Sequence, residues 1–374
     1  MTAYRTETYL TQIGNGADEQ LGAVNAPVYF STAYKHDGIG LSRGYDYIRT
    51  GNPTRGVLEK SIADIESGEM GFACSSGMSA VQLVFSLFRT GDHIIASRDL
   101  YGGTYRLFEF LTEQYGVAFS YWDGEDVQDL ENLITKDTKA IFIESPTNPL
   151  MRETDLGKAA DITKRRDLLL IVDNTFYTPV IQKPIELGAD IVIHSATKYL
   201  GGHNDVLAGL VISKGSKVSE QLAILHNACG AVLSPFDSWL LIRGMKTLAL
   251  RMKQHEANAK AVGKFLKAEP LVKDVLYPGR GGMLSFRIKD EQLVSPFLKA
   301  LNLITFAESL GGVESLITYP ATQTHADIPE EIRSAYGLDN CLLRLSVGIE
   351  HSEDLIADLK QAFQSLKKEA LIHD

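Results

Sequence analysis

Between residues 55 and 230, five short runs built almost wholly of apolar, β-forming residues alternate with stretches of helical periodicity. The runs occupy 93–97, 140–144, 168–173, 190–194 and 209–213. A strand with one wet face alternates apolar and polar residues; these do not, so both of their faces must be covered. The arrangement that covers both faces of a sheet with intervening helices is the α/β architecture with a mainly parallel sheet. The connection over 174–189 suits a crossover and is too long for a hairpin. The runs are therefore expected to lie parallel, with their carboxyl ends on one edge.

Past Ser234 the texture changes. One helical stretch is expected from Ser234-Pro235 to about Lys267, followed by shorter strand-like runs at 284–288 and 343–347 and an amphipathic helix over 353–366. This reads as a smaller C-terminal α+β domain. The division is an N-terminal arm over 1–54 that contacts a neighbouring subunit, a cofactor-binding domain over 55–233 and a C-terminal domain over 234–374.

The charge balance narrows the function. With 37 Lys+Arg against 47 Asp+Glu, a net charge of -10 supplies no positive footprint for nucleic acid or an anionic membrane. The longest apolar stretch, 78–88, contains Ser79, Gln82 and Ser86 and is too short to cross a bilayer. Cys74, Cys229 and Cys341 are odd in number and far apart, which fits a reducing compartment. A cytoplasmic enzyme acting on small molecules is the expectation.

In an open parallel sheet, ligands bind beyond the carboxyl ends of the strands. Three successive runs end in ESPTNP (144–149), VDNTF (172–176) and IHSATKYLGGH (193–203), which gathers Asn148, Asp173, Ser195, Thr197 and Lys198 on one edge. SSGMSA (75–80) opens a helix expected over 78–89; its first N–H groups attract an anion, and Gly77 is free to take a positive φ. An anion site, a carboxylate and a lysine together fit pyridoxal 5'-phosphate. Lys198 can form a Schiff base with its aldehyde, and Asp173 can keep its ring nitrogen protonated. Ser195 and Thr197 add hydroxyls for the phosphate. Tyr101, in RDLYGGTYR, can stack on the ring, and Arg106 can reach an anionic group. Taken singly, such residues are ordinary caps, solvated charges and loop side chains. Their joint occurrence in strand order is what points to a cofactor.

DIVIHSATKYLGGHN (190–204) resembles the lysine signature of the Cys/Met-metabolism pyridoxal-phosphate enzymes, the transsulfuration group. The resemblance extends along nearly the whole chain, through YDYIRTGNPTR, SSGMSA, DLYGGTYRLF, ESPTNPL, VDNTF, FDSWLLIRGMKTL, AESLGGVESLITYPATQTH and LLRLSVGIE. It departs where Tyr277-Pro278-Gly279-Arg280 runs almost directly into Gly281-Gly282-Met283, a stretch that is often longer in the group.

The resemblance implies an aspartate-aminotransferase-like, fold type I architecture and a set of roles. Lys198 carries the cofactor and then shuttles protons; Asp173 pairs with the pyridinium. Gly77, Met78, Ser195 and Thr197 bind the phosphate, while Tyr47 and Arg49 reach the phosphate of a neighbouring subunit in a homotetramer built from dimers. Arg344 clamps the substrate carboxylate with Asn148 and Ser309. Tyr101 stacks on the cofactor and takes part in acid–base steps. Glu308 is acidic at a position that resembles γ-acting members of the family.

The overall pattern is most similar to bacterial members that perform γ-replacement. That implies a transferase of methionine biosynthesis taking an O-acylhomoserine, with cysteine or sulfide as the thiol. Cystathionine γ- or β-lyase chemistry is the alternative within the family. Outside it, Ser195-Ala196-Thr197-Lys198 fits the S-x-x-K pattern of serine acyl-enzymes but lacks S-D-N and K-T-G companions. No GxGxxG follows an early strand. His194 and His203 lack a second ligand at helical spacing, so no metal is expected.

Overall fold

The computed structural model describes residues 4–124 and 126–370. The extreme ends of the first and third sequence regions, 1–3 and 371–374, lie outside the described residues.

Seven strands form the larger sheet: β1 (Met70–Cys74), β2 (His93–Ser97), β3 (Ala118–Trp122), β4 (Thr138–Glu144), β5 (Leu169–Asp173), β6 (Ile191–Ser195) and β7 (Gly209–Ser213). Their order is β1-β7-β6-β5-β4-β2-β3. Within the series β6, β5, β4, β2, β3 every pair is parallel. The α/β expectation holds, with one correction. β7 runs antiparallel to both β6 and β1. The chain from Ser195 to Gly209 forms no crossover helix; it turns through Lys198 and comes straight back. The turn is closed by the Thr197 N–H donating to Ala208 O at 3.1 Å and by the Ala208 N–H donating to Thr197 Oγ1 at 3.0 Å.

Apolar side chains on the two faces of this sheet build two cores. Leu170, Val172, Val192, Leu210 and Ile212 face the helices Pro53–Glu66 and Leu156–Arg166. Ile171, Ile191, Ile193, Ala140 and Phe142 face Gly77–Phe85 and Gly102–Tyr115. Continuous apolar sequence is thus the signature of strands packed on both sides. β1 and β3, the two edge strands, went unread because neither is apolar throughout. β3 is an edge strand, half exposed and broken by Ser120, and β1 is short and starts on an exposed Met70.

The second sheet contains β8 (Val272–Leu276), β9 (Met283–Ile288), β10 (Thr305–Phe306), β11 (Leu316–Thr318) and β12 (Leu342–Ser346), in the order β10-β11-β12-β9-β8. It is antiparallel except for the β10–β11 pair. Helices Leu248–Ala268, Val294–Ala300 and Ser352–Ala370 contribute to its separate apolar core around Phe286, Phe297 and Phe363. The single helix expected over 234–267 is two, Pro235–Met245 and Leu248–Ala268. The helix expected over 78–89 ends at Phe85.

The two sheets meet along the segment between β10 and β11. Gly311 takes φ +78°, and a Cβ there would lie 2.6 Å from Tyr199 N, so this chain presses directly on the turn that carries Lys198. The Gly311 N–H donates to Ser346 Oγ at 2.8 Å and the Val313 N–H to Gly202 O at 3.0 Å.

Candidate active site

A cleft of about 190 Å³ opens where the carboxyl edge of the large sheet faces this seam. Its lining includes Gly77, Met78, Tyr101, Asn148, Asp173, Ser195, Thr197, Lys198, Glu308, Ser309 and Arg344.

The lysine sits in the tight turn after β6, held by its own N–H donating to Ser195 O at 3.1 Å and by the Gly202 N–H donating to its carbonyl at 2.8 Å. Its Nζ donates to Ser309 Oγ at 3.2 Å and has no ion-pair partner among the described residues. Burial brings the ammonium down to about 8, the positive Arg344 pushes in the same direction, and Glu308 opposes them. Asp173 ends β5, and its Oδ1 accepts the Thr175 N–H at 2.9 Å. Burial raises its carboxyl above the usual range, while hydrogen bonds from Thr175 and the nearby His194 pull it back.

The helix Gly77–Phe85 starts at the cleft with a capping box: Ser76 accepts the Ser79 N–H at 3.0 Å, and Ser79 Oγ accepts the Ser76 N–H at 2.8 Å. The N–H groups of Gly77 and Met78 have no such side-chain cap and stand at the positive end of the helix. Gly77 is not in the left-handed region, contrary to the expectation from sequence. The need for glycine there is spatial, because a Cβ would lie 2.7 Å from Ser195 Oγ and 2.8 Å from Ser195 Cβ. Thr197 shares its hydroxyl with Ala208 O at 3.2 Å.

Arg344 reaches the cleft from β12 and is 2% exposed. Its Nη1 donates to Asn148 Oδ1 at 2.8 Å, its Nη2 to Ser309 O and Thr318 Oγ1, each at 3.3 Å, and its buried Nε has no partner. No carboxylate lies within ion-pair distance of it among the described residues. A buried guanidinium with neutral partners and a spare N–H is arranged for an incoming carboxylate. Burial lowers its pKa to about 10. Glu308 is exposed at the open side, within electrostatic reach of Lys198, Tyr101 and Arg344. The Tyr101 phenol is raised by burial and, secondarily, by Glu308.

These features fit a phosphorylated pyridine aldehyde. Gly77 and Ser195 form a cradle that a single methyl would fill, helix N–H groups and hydroxyls make the donor set for a phosphate, and a buried amine and a carboxylate flank the space between.

Three residues read as site members do not line this cleft, and for Tyr47 and Arg49, read as reaching a neighbouring subunit's phosphate, a single chain shows no more than that. Tyr47 and Arg49 do not line this cleft; Tyr47 is exposed, and Arg49 Nη1 donates to Asn227 Oδ1 at 2.9 Å. Arg106 is not in the lining either. Its guanidinium points outward and pairs with Asp327 at 2.9 Å. The S-x-x-K alternative loses its geometry, because Lys198 bonds Ser309 while Ser195 Oγ packs against Gly77. His194 is fully buried on Glu66 at 2.6 Å, and His203 bonds Gly201 O.

Sequence reading missed Glu144, Thr175 and His325. Glu144 ends β4 as Asp173 ends β5, a positional signal that was available. Thr175 Oγ1 accepts the Ser195 N–H at 2.8 Å, which ties the ends of β5 and β6 together. His325 places Nε2 3.0 Å from Asn148 O and 3.2 Å from Leu100 O, linking the two loops that carry Asn148 and Tyr101. Burial, with Arg344 beside it, lowers its pKa to about 4, so it is neutral and its Nε2–H donates to both carbonyls.

Comparison with known proteins adds to this geometry. Residues 7–364 match the family described as Cys/Met metabolism PLP-dependent enzyme. The chain is 63% identical to a cystathionine gamma-synthase/O-acetylhomoserine (thiol)-lyase of Bacillus subtilis, over 98% of both chains. It is 58% identical to a cystathionine gamma-synthase of Haemophilus influenzae, over 97% of this chain and 99% of the other. Relatives named cystathionine beta-lyase and gamma-lyase match at 47% identity. Among solved structures, cystathionine gamma synthase from Xanthomonas oryzae pv. oryzae in complex with aminoacrylate and cysteine superposes with a TM-score of 0.95. It is 39% identical, covering 97% of this chain and 98% of that one.

Proposed function

Since the chain belongs to the Cys/Met-metabolism PLP-dependent enzymes, with their fold type I architecture and pyridoxal 5'-phosphate as cofactor, we propose that it performs γ-replacement on an O-acyl-L-homoserine. Cysteine as the thiol gives L-cystathionine, and sulfide gives homocysteine. The observation that carries this reading is Glu308, an exposed carboxylate at the open side of a cleft whose inner end holds the unpaired Arg344. One end of the cleft suits the carboxylate of the first substrate and the other the ammonium of an incoming amino-acid thiol. The names of the relatives at 63% and 58% identity support the same reaction.

Bound pyridoxal phosphate supplies an electron sink for the charge that develops when protons leave the substrate. The protein does the rest. Arg344, with Asn148 and Ser309, fixes the substrate's α-carboxylate. Asp173 holds the charge that matches the ring nitrogen. Gly77, Met78, Ser195 and Thr197 hold the phosphate, and Tyr101 closes over the ring.

Lys198, whose neutral form is accessible because burial brings its pKa to about 8, moves protons one at a time: it takes one from Cα, hands that one on so that its lone pair is free again, takes one from Cβ, and later returns a proton to each carbon. The Cγ–O bond breaks with the acyl group leaving as carboxylate. The Cγ–S bond forms, and the thiol proton is released with that acid. Ser309, bonded to Nζ, keeps the amine aimed into the cleft. Among the described residues, the cations lining the cleft are Lys198 and Arg344, and both are committed. That favours an acetyl ester over one with a second, distal carboxylate.

The arm exposes Leu21, Val24, Phe30 and Leu41, which supports a homotetramer built from dimers in which Tyr47 and Arg49 reach the phosphate site of a second copy. Arg106, paired with Asp327 outside the lining, belongs at most to the approach of substrate. The division at 54/55 and 233/234 is retained as a proposal, as is a cytoplasmic location, supported by the free Cys74, Cys229 and Cys341. No described helix is long and apolar enough to cross a membrane.

The test is product analysis with O-acetylhomoserine and cysteine, against cystathionine alone. Cystathionine and acetate are expected from the first; pyruvate or 2-oxobutyrate from the second as the dominant outcome would make the protein a lyase. Replacing Glu308 with alanine should raise KM for cysteine about threefold while leaving that for sulfide, which has no ammonium, nearly unchanged. Gly77→Ala should weaken cofactor binding about tenfold, read by titrating the apo-protein, because the new methyl displaces Ser195 from the phosphate cradle.

A further inference from the structure

Glu144 is a buried acid in the cleft for which the γ-replacement steps have no use. It is the last residue of β4 and lies in register with Asp173, the last residue of β5. Registered neighbours on adjacent parallel strands, about 4.8 Å apart, project to the same face, and both residues line the cleft. Glu144 is 6% exposed and has no ion-pair partner among the described residues. Its Oε2 accepts the Tyr101 N–H at 3.0 Å, at the start of the helix Gly102–Tyr115.

Of two carboxylates side by side, the one held away from water ionises less readily, and here Glu144 is buried while Asp173 is partly exposed. The surroundings decide which keeps the proton. Asp173 accepts from Thr175 and is favoured by the nearby His194. Glu144 senses the charges of Asp173 and the buried Asp99, against which stand the Tyr101 N–H and, more weakly, Arg344. Burial comes first and Asp173 second in holding its carboxyl well above the usual range.

We propose that Glu144 is a positioning residue that works as a neutral carboxylic acid, accepting the Tyr101 N–H through one oxygen and presenting an O–H to the cleft beside Asp173. The ring nitrogen of the cofactor then meets one negative charge instead of two, and Tyr101 is anchored from the strand that lies against Asp173. The inference rests on the cofactor site and is independent of the choice of thiol. A protein that binds pyridoxal phosphate but makes neither cystathionine nor homocysteine from an O-acylhomoserine would overturn γ-replacement and leave the role of Glu144 intact.

The test compares Glu144→Gln with Glu144→Ala. Glutamine keeps an acceptor for the Tyr101 N–H and a donor in place of the O–H, without charge; alanine keeps neither. The dissociation constant for pyridoxal phosphate should stay within about threefold in the glutamine variant and rise about tenfold or more in the alanine variant. The infrared spectrum of the parent holoenzyme should contain the C=O stretch of a protonated carboxylic acid that Glu144→Gln removes. Loss of affinity in both variants, or a parent spectrum with no such band, overturns the proposal.

Discussion

Replacing Lys198 with alanine is expected to leave a folded protein that binds pyridoxal phosphate without covalent capture and has lost turnover by roughly a thousandfold or more, because the one base able to reach both carbons is gone. Lys198 is the only lysine among the described residues that line the cleft. Ser309 Oγ, the atom bonded to Nζ at 3.2 Å, is a far weaker base. The parent should show a visible absorption band from the lysine-bound cofactor and the variant should not; a variant retaining both band and turnover would remove Lys198 from its role.

The parent lysine also predicts a pH profile. Its pKa lies near 8, so roughly a tenth of the amine is neutral one unit below that value. The rate at which apo-protein captures the cofactor should therefore rise about tenfold per pH unit up to about 8 and then level off.

Arg344→Ala should lower kcat/KM about 100-fold or more, since it removes a bidentate, charge-assisted clamp from a buried site. Lysine should not restore it. A single ammonium cannot donate at once to Asn148 Oδ1 and to the Ser309 and Thr318 oxygens and still present a fork to a carboxylate. The loss should appear mainly in KM for the homoserine ester. A second consequence separates this from general damage. Arg344 contributes to the lowered pKa of Lys198, so its removal favours the ammonium and should move the onset of cofactor capture to higher pH. An unshifted onset would mean that the two groups do not sense each other.

How far these residues could be read in advance depended on what kind of information places them. The runs that became β2, β4, β5, β6 and β7 were visible because strands packed on both faces are apolar throughout. The few residues just beyond their carboxyl ends were then a small set to search, and that set held Asn148, Asp173, Ser195, Thr197 and Lys198, all of which line the cleft. The direction of β7 was hidden because it depends on Thr197 and Ala208 closing a turn, a pairing with no periodic signal. His325 was hidden for a related reason, since it matters through the two backbone carbonyls it stands beside, whereas Glu144 could have been read from its place at the end of its run, as Asp173 was. Gly77 does line the cleft, but a contact with Ser195, not its φ, excludes a side chain there. Arg106 has the right charge near the right helix, but Asp327 holds it outside.

The seam at Gly311 has a consequence for how selectivity could be re-engineered. The groups proposed to handle protons and the ring, Tyr101, Asp173 and Lys198, arrive on the carboxyl edge of the large sheet, whereas Glu308 and Arg344, proposed to face the substrate's ends, arrive from the second domain. The two touch through backbone atoms that tolerate almost no added bulk. Grafting residues 305–346 from a differently selective relative would exchange Glu308, Ser309 and Arg344 together while leaving Asn148 in place, provided that the glycine at 311 travels with the graft.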